Sequence, residues 1–137
     1  MITYSNKLKE ISPEELLGFL EKHYTFEIPI GIDSEMAMRK AGNLLGTLTN
    51  SYSYLASVLA ALTIHTKAEK AKVPTRPKTG DLSEYETQKK IYEEMALRKF
   101  LVEQYVDIIR QQYSCVSRML TVKIEADKEL RMSDSKK

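Results

Sequence analysis

Tryptophan is missing altogether from these 137 residues, cysteine occurs once, at Cys115, and there are only five glycines and four prolines. A lone cysteine excludes an intramolecular disulfide and any multi-cysteine metal site, and it fits a reducing compartment, the cytoplasm. So few glycines and prolines leave little material for tight turns and point to long regular elements. No apolar run reaches the roughly 18 residues needed to cross a bilayer, so no membrane partner is expected, and Met1–Lys9 holds no hydrophobic signal core. Nor does one charge dominate: 21 basic residues face 19 acidic ones, a net of +2. On average that excludes a strongly basic nucleic-acid arm.

What is present is 42% apolar residues in a helical arrangement. The length suits a single domain over 1–137. Ser12-Pro13-Glu14-Glu15 starts a short helix over 12–24: Ser12 caps, Pro13 suits the first helical position, and Glu15 completes a capping box. Pro29 then holds Ile28 extended, so residues 26–31 read as a connector. Asp33-Ser34 opens a long helix over 33–72. Its positions Ala41, Leu45, Leu48, Tyr52, Leu55, Leu59 and Leu62 are spaced 4,3,4,3,4,3, a heptad seam. Pro74, Pro77, Gly80 and Asp81 break the chain into a basic loop over 73–83. A last helix spans 84–132, with a seam of Tyr92, Met95, Val102, Val106, Ile109, Tyr113, Val116 and Leu120 that Lys99 interrupts. Residues 133–137 form a polar tail expected to fray.

Lengths decide the architecture. At 1.5 Å per residue the two long helices measure roughly 60 and 70 Å, whereas a compact globule of this length would be about 35–40 Å across. The expected fold is all-α: a short N-terminal helix plus a long antiparallel helical hairpin, oligomerising through the long helices. The stripe Leu101, Tyr105 and Ile108 lies beside the seam and needs a cover of its own. With Tyr113, Val116 and Leu120 it makes the candidate oligomerisation surface.

Sorting charge by position sharpens the average. Residues 34–81 carry seven basic and three acidic groups, a net of +4, whereas residues 1–33 carry three and six, a net of −3. Lys67, Lys70, Lys72, Arg76 and Lys78 surround the hairpin tip with Glu69 the one acid among them. They are the candidate nucleic-acid contacts, suited to phosphates and without sign of base readout. The plain alternative is a solvated helix end, since the helix dipole favours cations there whatever the function.

Little else reads as chemistry. His23 and His65 lack a ligand-spaced carboxylate set, so no metal is expected. Cys115, between Tyr113 and Val116, reads as a small buried hydrophobe. Glu84, Glu86, Glu93 and Glu94 alternate with Lys89, Lys90 and Lys99 as on exposed helix faces. Gly42 and Gly46 have a spacing that lets a helix approach closely. Tyr52, Tyr92, Tyr105 and Tyr113 fall on seams and are expected in the core, while Tyr54 and Tyr85 lie off the main stripe. Aromatics beside a basic tip can stack on unpaired bases. No phosphate loop, nucleophile elbow or catalytic carboxylate pair occurs, so neither an enzyme nor a cofactor is expected.

The order of these elements resembles the UvsY-type recombination mediators of tailed phages. The features that carry it are the Asp33-Ser34 cap, the stretch Ala41-Gly42-Asn43-Leu44-Leu45, and the Lys70-Ala71-Lys72 helix end. Ser117-Arg118, Val122-Lys123 and Leu130-Arg131 before a short polar tail complete it. Together they span about 100 residues; the short Pro-rich loop after Lys72 and the absence of Trp in the last helix depart from the family. The resemblance implies a ring-like homo-oligomer in the bacterial host cytoplasm that binds single-stranded DNA. It also implies remodelling of the DNA complex with single-strand-binding protein and loading of a RecA-like recombinase. Lys70 and Lys72 would contact phosphates, and the last helix, from Arg118 to Arg131, would carry oligomerisation. The competing expectation is a phage helical adaptor or inhibitor acting only through protein–protein contacts, with a virion assembly protein as a third.

Overall fold

A computed structural model describes residues 10–135, with side chains through 133. Residues 1–9, where no signal core is expected, and the last two residues of the expected tail lie outside the described residues. Three helices are described: α1 (Pro13–His23), α2 (Glu35–Ala71) and α3 (Ser83–Ser135), with no strand among the described residues.

Each helix begins where local chemistry supplies partners for its first N–H groups. The Ser12 hydroxyl accepts the Glu15 N–H at 3.2 Å, and Pro13 occupies the first turn where its missing N–H costs nothing. The Ser34 hydroxyl accepts the Ala37 N–H at 3.0 Å. Asp81 accepts both the Ser83 N–H (2.9 Å) and its hydroxyl (3.0 Å). These bonds hold the Asp81 carboxyl below its ordinary range. α2 ends in tightened turns, with Lys72 and Val73 donating to the carbonyls of Glu69 and Lys70, because Pro74 forces Val73 out of helical geometry. α3 continues to Ser135, so residues 133–135, expected to fray, are helical. No proline or glycine stops them.

The chain divides into two compact units that share α2 and α3. The first holds the described residues up to Thr25 with Tyr54–Val106. Here Gln88, near the start of α3, donates to the Glu69 carbonyl (3.2 Å) and carboxylate (2.9 Å), near the end of α2. The helices therefore leave the loop antiparallel, as a hairpin. Leu16, Phe19 and Leu20 of α1 close around Tyr54, Leu55 and Val58 of α2 and Val102 of α3. Burying each leucine contributes about 1.5–3 kcal/mol. Arg98 is the one charged side chain in this core, 5% exposed. Its Nε donates to the Ile11 carbonyl at 2.8 Å, and Glu94 stands 4.0 Å from its Nη2. It thereby ties the entry of α1 to α3.

The second unit holds Phe26–Ser53 with the chain from Asp107 onward. Its buried apolar residues are Ala41, Leu48, Ile109 and Val116. Beyond Val116 the line turns polar, through a Lys123–Asp127 ion pair at 3.0 Å. Val122, Ile124, Leu130 and Met132 are exposed.

The expected seam of α2 needs a correction. Ala41, Leu48, Leu55 and Leu62 are buried at intervals of seven, as expected, but the intervening buried position is Val58, not Leu59. Helix α1 covers the Val58 side, so three helices bury a wider stripe than two can. In the second unit no third helix packs among the described residues. There Tyr52 and Tyr113, expected in the core, are 38% and 41% exposed. Tyr92 and Tyr105 are half-buried, and Cys115, expected to be buried, is exposed.

Candidate nucleic-acid interface

The final turn of α2 and the loop after it present five cations within twelve residues. Lys67, Lys70, Lys72, Arg76 and Lys78 are all exposed. Arg76 and Lys78 lie on the non-helical loop that follows Pro74. Gly80, at φ 99°, makes the turn back into α3, a conformation that an L side chain resists. Arg76, Pro77, Lys78, Thr79, Gly80 and Leu82 line a shallow depression of about 480 Å³.

Glu69 is the acid among these cations, and its carboxylate is shared between Lys72 and Gln88. Its side chain is 13% exposed, held by Gln88 on one side and by Lys72 Nζ at 3.3 Å on the other. Among the described residues no ion pair engages Lys67, Lys70, Arg76 or Lys78. Glu84 and Glu86 in the first turn of α3 are exposed and limit the positive surface on the far side of the loop. The arrangement can neutralise phosphates.

Tyr85, at the start of α3, and Tyr54, farther along α2, are both engaged. Tyr85 lies under Lys89, whose Nζ is 5.8 Å from the ring centroid. Tyr54 stacks on Tyr24 (centroids 6.3 Å apart, planes 12° apart), and its hydroxyl is buried without a hydrogen-bond partner among the described residues. Burial pushes both phenols above their ordinary ionisation range, and the charge of Tyr54 adds to the effect on Tyr24.

The six candidate oligomerisation residues are divided by the structure. Val116 is fully buried within its own chain and serves the core, so it presents no surface to another copy. Leu101, Tyr105 and Leu120 are half-buried, while Ile108 and Tyr113 are exposed. Two apolar residues that the sequence did not single out, Leu97 and Phe100, are also exposed on α3, Phe100 at 54%. Their i, i+3 spacing beside Leu101 was the available signal. Gly42 and Gly46 face open space, so their spacing serves no close helix contact inside the chain.

His23 packs against Phe19, with ring centroids 4.5 Å apart and planes tilted by 44°. Among the described residues no group of three or more His, Cys, Asp or Glu could hold a metal ion, and no helix is long and apolar enough to cross a membrane. Comparison with family models, curated proteins and solved structures found no match.

Proposed function

We propose that this chain is a non-enzymatic, oligomeric, single-stranded-DNA-binding recombination mediator that helps load a RecA-like recombinase onto DNA covered by single-strand-binding protein. The observation that carries the DNA-binding part is the tip: five exposed cations with one interleaved acid, Glu69, which pairs with Lys72 and leaves Lys67, Lys70, Arg76 and Lys78 in no ion pair among the described residues. The loading role rests on the resemblance of the element order and of the Lys70-Ala71-Lys72 end to UvsY-type mediators. Exposed Leu97, Phe100 and Ile108 support self-association along α3. Each added copy brings a further set of five cations to the strand.

The test is the salt dependence of binding to an unpaired oligonucleotide. The slope of log affinity against log salt is about −0.7 per phosphate neutralised, so five contacts per copy give about −3.5. Lys70→Ala with Lys72→Ala should reduce it to about −2.1. Unchanged affinity and slope in the double variant would remove the tip from the account. Leu97 and Phe100 equally favour a second reading, an adaptor or inhibitor working through protein contacts alone. Absence of nucleic-acid affinity at physiological salt would select it.

A further inference from the structure

In the second unit, Leu48, Thr49 and Tyr52 of α2 and Arg110 and Tyr113 of α3 line an open depression of about 290 Å³. We propose that it is a base-stacking subsite for a single-stranded nucleic acid, which takes one base between the phenol rings and the adjoining phosphate on Arg110. The proposal rests on the single-strand-binding reading above and adds to it a contact to bases, which the tip alone does not supply.

The lining residues differ in kind. Leu48 is fully buried and offers an occupant no surface of its own, so the open apolar surface is that of the tyrosines. Tyr52 and Tyr113 each keep well over a third of their surface open, although both sit on heptad positions that would normally be covered. An exposed aromatic ring can serve as a stacking platform for any base, because every base has a π-face. The Thr49 hydroxyl donates to the Leu45 carbonyl at 2.8 Å, so it leaves no competing donor in the depression.

Charge selects among possible occupants. The five lining residues include one cation and no acid. The Arg110 side chain is 64% exposed, and one Nη2 bond to Asp107 Oδ1 at 3.0 Å uses only part of its fork of five N–H donors. A guanidinium and two phenols lining one depression match a planar ring that carries a neighbouring anion, as in a nucleotide, better than an apolar side chain from a protein partner. The volume lies at the lower edge of small-molecule sites and suits one ring system.

The experiment compares the full-length protein on a labelled oligothymidine and on an abasic strand of equal length, by fluorescence anisotropy. The wild type should prefer the base-bearing strand by about 5- to 150-fold for one stacked base per copy. Tyr113→Leu should bring that preference close to one while leaving affinity for the abasic strand and its salt slope unchanged. Tyr52→Leu should do the same, and either variant suffices if the other fails to fold by circular dichroism. Equal wild-type affinity for both strands would overturn the stacking site and leave the phosphate-binding reading standing. No binding to either strand would overturn both. Loss of self-association in the variants, with base preference intact, would reassign the depression to contact between copies and overturn the proposal.

Discussion

Arg98 offers the sharpest test of how the first unit is held together. Its guanidinium is buried, and the bond from Nε to the Ile11 carbonyl spans 87 positions of sequence at 2.8 Å. Arg98→Met keeps a stem of similar length and removes the donor. A hydrogen bond made by a charged group contributes about 1.5–3 kcal/mol, and release of the guanidinium from burial gives part of that back. The expected net loss is about 1–2 kcal/mol. For a chain of this length a loss of 1 kcal/mol lowers the melting temperature by roughly 3–5 °C, so the shift should be about 3–10 °C. Arg98→Ala also removes the stem that packs in the core, so it should cost more than Arg98→Met. Thermal unfolding followed by helical circular dichroism reads the global effect. Hydrogen exchange at Leu16 and Leu20 reads the local one, since α1 should open before the rest. An Arg98→Met variant as stable as the wild type, with unchanged exchange in α1, would refute the clamp and leave Arg98 as packed hydrocarbon.

Other expectations follow from the same contacts. Leu16→Ala and Leu62→Ala should each destabilise by about 2–5 kcal/mol, measured by urea unfolding, because both side chains are closed off in the first unit. Gly42→Ala and Gly46→Ala, whose added methyls meet open space, should each stabilise α2 by about 0.5–1 kcal/mol. A lower melting temperature instead would mean that another helix lies against them. Burial raises the ionisation of Tyr24 and Tyr54 above the ordinary 10.0. The folded state thus holds these protons more tightly than the unfolded chain. The associated stability is complete below pH 10 and is lost as the pH rises through the raised folded values. Melting curves from pH 9 to 11 should show that loss, and Tyr54→Phe should diminish it.

Helix positions were legible because their signals are local. Ser12-Pro13, Ser34, Pro74 and Asp81 each act within one turn, and the observed boundaries lie within about three residues of those expected. Which flank of a seam is buried was not legible. Leu45, Tyr52 and Leu59 fit a heptad as well as Leu44, Ser51 and Val58 do, and the docking of α1 on Val58 decides the matter in the first unit. Arg98 was passed over because periodicity discounts a cation on a seam, and its acceptor, the Ile11 carbonyl, lies far away in sequence. The cluster of cations at the tip could be counted from the sequence, but the inward turn of Glu69 depends on Gln88, nineteen residues later. The exposure of Tyr52 and Tyr113 goes with a second unit in which no third helix packs among the described residues, and no spacing within α2 or α3 encodes that.

The central claim is that copies of this chain assemble and that the assembly binds single-stranded DNA. Light scattering coupled to size separation, with and without an unpaired oligonucleotide, tests it most directly. The account predicts a discrete oligomer of defined mass that shifts to a heavier species when the oligonucleotide is added. A monomer of 15.7 kDa whose mass is unchanged by the oligonucleotide would contradict it.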